Sequence, residues 1–268
     1  MTYDFCFRRI ALVLATGVLT GSFASFPAFS LGGRATSADS GLKPHVVIVE
    51  SAAARGFGTC TGTVIAPDII LTAAHCVAQA KQVIIAYEEH GSHIVQRVAT
   101  KAVNPGYSRA SNVSIDMALL KLETNLPDRF VPVQLEADGH PHAIGDRRTI
   151  AGFGLIGERE EASSGTLRSA SASVLPKIYP RFMRIGYRVD ADLGDFAICT
   201  GDSGGPVFDG SVMVGVIYGK EKFGTARHCG TTAQAVRIAP QRGWIDSVLI
   251  RWGSRSRVAG AVPISSSD

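Results

Sequence analysis

The sequence lacks a hydrophobic run long enough to cross a bilayer. Its longest apolar run, residues 10–19, is shorter than the roughly 20 residues that a spanning helix needs, so we expect no membrane span. A strong charge of one sign is also absent, because the net charge is only +4 over 268 residues and the basic residues are not clustered. Nucleic-acid surfaces are built from dense basic patches, so we expect no nucleic-acid partner.

Cysteine is scarce, and no two cysteines form a Cys-x-x-Cys pair. Closely spaced thiols are typical of zinc sites, so we expect no metal. Cys6 lies in an N-terminal leader, which leaves Cys60, Cys76, Cys199 and Cys229. An even number of cysteines in an exported chain predicts two disulfides. Three pairings are possible; the pairing 60–76 and 199–229 closes the shortest loops, but the sequence does not choose among them.

The leader has the order of a secretory signal. Arg8 and Arg9 precede the apolar run 10–19, and small residues suited to cleavage follow, with candidate sites after Ala24 and after Ser30. We therefore predict that residues 1–30 are a signal peptide that is removed, and that the mature protein is secreted or periplasmic.

Long helical periodicity is absent until Pro240, after which apolar residues recur at helical spacing from Trp244 to Trp252. Before that point, short segments rich in β-branched residues alternate with turn residues. The pattern predicts an all-β protein with one C-terminal α-helix. The predicted strands lie at 45–49, 63–65, 69–71, 82–86, 94–98, 148–152, 207–208 and 212–218.

A turn-rich stretch at 126–146 divides the chain into two halves, which we place at 31–134 and 135–253. Each half has about a hundred residues, a normal size for one barrel or sandwich. The final stretch, 254–268, shows no pattern, and we predict that it is a disordered tail.

Three segments carry candidate chemistry. The segment LTAAHC places His75 at the end of a strand, DMALLKL begins with Asp116, and TGDSGGP surrounds Ser203 with glycines. Each segment alone also fits an ordinary structural residue, cap or turn. The sequence GDSGG fits the G-x-S-x-G elbow of α/β hydrolases, but that fold places its Asp and His after the serine. Here both precede it, so we reject the elbow.

Together the segments TAAHC, DMALL and GDSGGP, in this order, resemble the trypsin/chymotrypsin-like serine peptidases. The resemblance covers roughly residues 31–252, and the chain is identified as an exported, bacterial member. It implies two six-stranded antiparallel β-barrels with a C-terminal helix and the active site in the cleft between them. It also implies protein or peptide substrates, no cofactor and a monomer.

The resemblance assigns a role to each residue of a catalytic triad. Ser203 would attack the peptide carbonyl, His75 would accept and return its proton, and Asp116 would orient the imidazole. The backbone N–H groups of Gly201 and Ser203 would form the oxyanion hole.

Asp202 would pair with a new N-terminal ammonium. The family usually begins I-V-G-G, and the nearest match here is Ser30-Leu-Gly-Gly33. We therefore expect signal peptidase itself to create the required N-terminus at Leu31.

The resemblance also places the substrate pocket. Ala197 would form its floor with Ile198 beside it, Ala233 would narrow it, and Tyr218-Gly219 would form the edge that pairs with the substrate backbone. Trypsins carry Asp at the position of Ala197, so we expect small to medium apolar P1 residues rather than Arg or Lys.

Two departures leave alternatives open. Ile217 stands where the family has a serine that hydrogen-bonds the catalytic aspartate, so a homologue that binds peptides without cleaving them is the alternative function. Glu88 and Glu89 lie where some relatives bind calcium, although two adjacent acids more often mark a solvated turn.

Overall fold

The computed structural model describes residues 36–37, 41–53, 56–111, 113–157, 165–186, 197–221, 229–255 and 257–258. The predicted signal peptide and Leu31 lie outside these residues. Within them the structure is mostly antiparallel sheet, and its longest helix is close to the C-terminus.

Six strands close the first barrel in the order β2-β3-β4-β7-β6-β5. Neighbouring strands in this ring are antiparallel. The strands are β2 (Val46–Ala53), β3 (Gly56–Ala66), β4 (Ile69–Thr72), β5 (Gln82–Glu89), β6 (Ser92–Val103) and β7 (Ala118–Leu122).

The second barrel is closed by six further strands in the order β13-β9-β10-β11-β16-β14, and the pairing of β13 with β14 completes the ring. All six pairings are antiparallel. The strands are β9 (Arg147–Gly152), β10 (Arg168–Tyr179), β11 (Phe182–Gly186), β13 (Pro206–Asp209), β14 (Val212–Glu221) and β16 (Thr232–Arg237). The predicted fold class, two six-stranded antiparallel barrels, is confirmed.

Short elements complete the described chain. The predicted C-terminal helix is α2 (Arg242–Arg251), and a single helical turn, α1 (Ala74–Val77), carries His75. Short 3₁₀ turns lie at Lys43–His45 and Ala239–Gln241. The short strands are β1 (Thr36–Ser37), β8 (Gln134–Leu135), β12 (Ile198–Cys199), β15 (Cys229–Gly230) and β17 (Arg257–Val258).

Two of these short strands bear on the predicted organisation of the chain. Strand β8 spans the predicted boundary at 134/135 and pairs with β14 of the second barrel. Strand β17 pairs in parallel with β8, so part of the stretch predicted as a disordered tail is ordered sheet. Residues 259–268 lie outside the described part, and disorder there stays a prediction.

The core explains why β4 is apolar throughout. Side chains alternate between the two faces of a strand, so one face is usually polar. In β4, Ile70 points into the first barrel, whereas Ile69 and Leu71 join a second cluster that includes Val216 and Ile245. Because both faces are buried, every residue of the strand is buried. This second cluster forms the apolar contact between the barrels.

Candidate active site

His75 and Asp116 are brought together by the register of two paired strands. In the β4–β7 ladder Leu71 pairs with Leu119 and Thr72 with Ala118, so the residues just after β4 lie beside those just before β7. The Nδ1 atom of His75 is 2.8 Å from Oδ2 of Asp116, and the backbone N–H of His75 donates to Oδ1 at 2.8 Å. Both carboxylate oxygens of Asp116 therefore hold His75.

The environments of the two side chains differ. Asp116 is buried, whereas 37% of the His75 side chain is exposed, so the imidazole is accessible to solvent. Burial raises the pKa of the nearby Tyr107 phenol above its usual 10.0, and the negative charge of Asp116 raises it further. The negative charge of the buried Asp116 therefore affects the ionisation of Tyr107.

Ser203 belongs to the second barrel and is fixed against the first. Its carbonyl accepts a 2.8 Å hydrogen bond from the N–H of Thr61. The Sγ atom of Cys76 lies 3.6 Å from Nε2 of His75 and 4.0 Å from the carbonyl oxygen of Ser203. His75 and Ser203 therefore flank the same disulfide sulfur.

The glycines around Ser203 are required by close backbone contacts. Gly201 has φ +102°, and a Cβ there would lie 2.7 Å from Cα of Gly154. Gly204 has φ +86°, and its Cβ would lie 2.1 Å from the carbonyl oxygen of Thr61. Both the positive dihedrals and the lack of space exclude side chains at these positions.

The same loop leaves two backbone donors unused. The N–H groups of Asp202, Gly204 and Gly205 donate to carbonyls of Cys199, Ile217 and Asp202 respectively. Within the described part of the chain, the N–H groups of Gly201 and Ser203 have no acceptor. An anion bound beside Ser203 could accept both.

Asp202 is completely buried and binds backbone donors. Its Oδ1 accepts from the N–H of Gly154 at 2.9 Å and its Oδ2 from that of Cys199 at 2.7 Å. A Cβ at Gly154 would lie 2.5 Å from Oδ1, so the carboxylate requires glycine there. Asp202 also interacts electrostatically with the guanidinium of Arg168. Burial lowers the pKa of Arg168, and the negative charge of Asp202 opposes that shift.

Both short-loop disulfides are formed. Cys60 is bonded to Cys76, which anchors the turn that carries His75 to β3. Cys199 is bonded to Cys229, which joins the Ser203 loop to β15. Each disulfide thus fixes a segment that carries part of the candidate site.

The predicted pocket residues are only partly assembled in the described structure. Ile198 and Ala233 are buried in one apolar cluster of the second barrel, and Ala197 packs against the Cys199–Cys229 disulfide. The Tyr218 ring lies 6.0 Å from that of Phe182, centroid to centroid, and Gly219 is half-buried beside it. The adjoining segments 191–196 and 222–228 lie outside the described residues.

Ile217 packs away from Asp116, in the core of the second barrel. Its side chain is buried there, while its carbonyl accepts a 2.6 Å hydrogen bond from the N–H of Gly204. Because both oxygens of Asp116 are already bonded to His75, the carboxylate is oriented without a serine at position 217.

The candidate metal ligands already bind other groups of the protein. In the described residues, the convergent His/Cys/Asp/Glu group is Cys60, His75 and Cys76, but both cysteines are oxidised in a disulfide. In the loop considered for calcium, the Arg129 guanidinium forms an ion pair with Glu89 and donates to the Glu88 carbonyl. A protein cation therefore already neutralises Glu89.

Two residues of the site were not predicted from the sequence. Thr61 is fully buried between the barrels, and its hydroxyl bonds the carbonyl of Gly201 at 2.8 Å. The Nζ atom of Lys101 donates to the carbonyls of Val77 and Ala80 at the end of the His75 turn. Their sequence neighbourhoods carry no motif, and only the close packing of distant strands identifies them.

Two six-stranded antiparallel barrels, a hydrogen-bonded His–Asp pair and a glycine-bounded serine define a protein of the chymotrypsin-type serine peptidase class. The family model described as Trypsin matches residues 31–245. The chain therefore belongs to the trypsin family and is a serine-type endopeptidase by descent.

Curated relatives extend over most of this chain. Granzyme M of Homo sapiens is 28% identical over 258 residues, which cover 88% of this chain and 95% of granzyme M. Trypsin 5G1 of Aedes aegypti is 29% identical and covers 70% of this chain and 74% of its own length. Chymotrypsin of Phaedon cochleariae is 24% identical, with coverages of 76% and 77%. These relatives are animal proteins, so the expected bacterial origin finds no support.

Solved structures share the fold. Human heparin binding protein has a TM-score of 0.66 and 21% identity, and the match covers 83% of this chain and 99% of that one. A scabies mite inactivated protease paralogue has a TM-score of 0.62 and 22% identity, with coverages of 82% and 99%. No helix among the described residues is long and apolar enough to cross a membrane.

Proposed function

We propose that this protein is a secreted serine endopeptidase whose catalytic triad is Ser203, His75 and Asp116. The observation that carries the proposal is the pair of hydrogen bonds between Asp116 and His75, 2.8 Å at each oxygen. The Sγ atom of Cys76 lies near both Nε2 of His75 and the carbonyl oxygen of Ser203, which supports one shared site. A neutral imidazole held through Nδ1–H leaves Nε2 as the base.

The chemistry follows from this arrangement. Nε2 of His75 takes the proton of the Ser203 hydroxyl as Oγ bonds to the substrate carbonyl carbon. The resulting imidazolium, stabilised by Asp116, gives the proton to the leaving amine as the C–N bond breaks. Water then attacks the acyl carbon while Nε2 of His75 takes its proton, and that proton returns to Oγ of Ser203 as the C–Oγ bond breaks and the acid product leaves.

The negative oxygen of the tetrahedral intermediate would be bound by the N–H groups of Gly201 and Ser203. Both donors are free among the described residues, and the loop that carries them is held at Gly204, Gly205 and Asp202. A preorganised donor pair of this kind stabilises charge that develops only in the transition state.

Activation would depend on the mature N-terminus. Cleavage after Ser30 by signal peptidase would place an ammonium group on Leu31, and its partner would be the buried Asp202. Asp202 is completely buried and already accepts hydrogen bonds from Gly154 and Cys199, and an ammonium group beside it would further favour its charged form. Export would then produce the active form without a second cleavage.

For specificity, we propose small to medium apolar P1 residues. Ala197 and Ala233 carry no charge that could pair with Arg or Lys, and Ala233 lies in an apolar cluster. Discrimination by one methylene in such a pocket is worth about 1–3 kcal/mol, so the preference is graded. Profiling with a P1 library tests this, and highest turnover after Arg or Lys would contradict it.

The decisive experiment is intact mass spectrometry of the secreted protein before and after treatment with a fluorophosphonate, with Ser203→Ala alongside. We expect one adduct on the wild type and none on the variant. The untreated mass should correspond to a start at Leu31 and four oxidised cysteines. A start at Ser25 without further trimming would contradict the proposed activation.

A folded and correctly processed wild type that forms no adduct would favour the alternative, a peptide-binding homologue without catalysis. The scabies mite inactivated protease paralogue has the same fold, so this fold is compatible with the alternative.

A further inference from the structure

Thr61 connects the two barrels through its side chain. It lies in β3 next to Cys60 and is completely buried. Its Oγ1 donates to the carbonyl oxygen of Gly201 at 2.8 Å and accepts from the N–H of Phe153 at 3.0 Å. One hydroxyl of the first barrel thus bonds two separate segments of the second.

The backbone of Thr61 adds two further bonds. Its N–H donates to the carbonyl of Ser203 at 2.8 Å, and its own carbonyl accepts from Oγ1 of Thr72 at 2.8 Å. Thr61 therefore holds the carbonyls of both Gly201 and Ser203. These are the two residues whose N–H groups have no acceptor within the described part of the chain.

The Phe153 contact extends this arrangement to Asp202. Phe153 donates to the Thr61 hydroxyl, and the next residue, Gly154, donates to Oδ1 of Asp202. A Cβ on Gly201 would lie against Cα of Gly154, so the two segments are in direct contact. The Thr61 hydroxyl lies where these segments meet β3.

We propose that Thr61 is a positioning residue for the oxyanion hole: its hydroxyl, by bonding Gly201 and Phe153, holds the Gly201–Ser203 loop with both N–H groups available to substrate. This inference rests on the proposed function and deepens it. A shift of about 1 Å in a catalytic group costs on the order of a hundredfold in rate, so a hydroxyl that does not touch substrate can affect turnover.

The chain offers a matched control in Thr63. Thr63 lies two residues along the same strand and is also completely buried, but its Oγ1 has no hydrogen-bond partner in the part of the chain that the structure describes. Valine has nearly the shape of threonine without the hydroxyl. Thr61→Val therefore removes two inter-barrel hydrogen bonds, whereas Thr63→Val removes none.

The experiment measures kcat and KM for Thr61→Val, Thr61→Ser and Thr63→Val. It also measures inhibition by a peptide boronate, which forms an anionic tetrahedral adduct, and by a non-cleavable peptide of the same sequence. For Thr61→Val we expect kcat to fall about 10- to 100-fold with KM within about threefold, and boronate binding to weaken in parallel. Peptide binding should not change, Thr61→Ser should recover most of kcat, and Thr63→Val should match the wild type.

Equal kcat for Thr61→Val and Thr63→Val in an active enzyme would overturn this inference alone. Equal weakening of boronate and peptide binding in Thr61→Val would also overturn it, because this result would indicate a loss of ligand binding in general. If Thr61→Val does not fold, Thr61→Ser and Thr61→Ala are compared, and equal kcat in those two would overturn it as well. A wild type that neither reacts with fluorophosphonate nor cleaves peptides would overturn the proposed function together with this inference.

Discussion

At the scale of single residues, the site depends on positions where only one side chain, or none, can fit. The sequence identified His75, Asp116 and Ser203 because their motifs are local and continuous. It also assigned Gly201 to the oxyanion hole, although it did not explain why a side chain is excluded there. The reason, a contact with Gly154 some 47 positions earlier in the chain, is visible only in the fold.

Gly201→Ala should lower kcat on the order of a hundredfold, because the new Cβ would displace one oxyanion donor. It should also cost about 1–3 kcal/mol in unfolding free energy, because φ is +102° and the Cβ would lie 2.7 Å from Cα of Gly154. Gly210→Ala is the control: φ is +56°, but a Cβ there has nothing within 4 Å. Steady-state kinetics and denaturant unfolding test both variants, and a Gly201→Ala enzyme as active as Gly210→Ala would contradict the prediction.

We predict that Asp146 makes the unfolding free energy of the protein depend on pH. Its Oδ2 accepts from the N–H of Ala143 at 2.8 Å and from Arg148 at 2.9 Å, and these bonds, the backbone bond first, lower its pKa below the usual 3.8. A lowered pKa in the folded state stabilises the fold above pH 3.8, and that contribution is lost as pH falls through the lower, folded-state pKa.

Asp146→Asn should therefore be less stable than the wild type at neutral pH, and the difference should narrow below about pH 4. Unfolding free energies of the two proteins, measured between neutral pH and about pH 2.5, provide the test. A difference that stays constant over this range would show that ionisation of Asp146 does not contribute.

At the scale of elements, the sequence predicted most strands of the first barrel and the C-terminal helix. It missed β10, β11 and β16 of the second barrel. Strand β10 contains alternating Ser and Ala and a proline, which have weak strand preference. It is a strand because β9 and β11 pair with it on both sides, and pairing between distant segments is not encoded locally.

We predict that Lys101, which is distant in the sequence, stabilises the turn that carries His75. Lys101, in β6, donates to the carbonyls of Val77 at 2.6 Å and Ala80 at 2.8 Å, where α1 ends. Lys101→Met should destabilise the protein by about 1–3 kcal/mol and reduce kcat, because hydrogen bonds from a charged donor are lost beside His75. Lys81→Met, at an exposed lysine close in sequence, is the control. Thermal unfolding and kinetics that do not distinguish the two variants would contradict this.

At the scale of the whole molecule, Glu136, which directly follows β8, connects that strand to the end of β16 and to the 3₁₀ turn before the C-terminal helix. It is completely buried; His142 lies 2.5 Å from Oε1, Arg237 3.5 Å from Oε1, and the N–H of Ala239 donates to Oε2 at 2.9 Å. Nothing in the sequence distinguished this glutamate. A buried carboxylate persists only with such partners, so it depends on the complete fold.

Glu136→Gln should lower the unfolding free energy by about 3 kcal/mol, because it leaves the Arg237 charge without its buried counter-ion. Glu50→Gln, at an exposed glutamate of β2, should change it by less than about 0.5 kcal/mol. Denaturant unfolding measures both variants. Equal effects would show that the Glu136 charge is not required.

Local sequence patterns were enough to predict the all-β class, the C-terminal helix, the candidate triad, and an even set of cysteines that suits two disulfides. These features follow from local periodicity, continuous motifs and composition, which need no knowledge of distant neighbours. Only the fold shows which cysteines pair and that β10, β11 and β16 are strands of the second barrel. It also shows the hydrogen-bond partners of Thr61, Lys101 and Glu136. These depend on which distant backbone groups meet in the core, because a buried polar group is stabilised only by the partners that the complete fold brings to it.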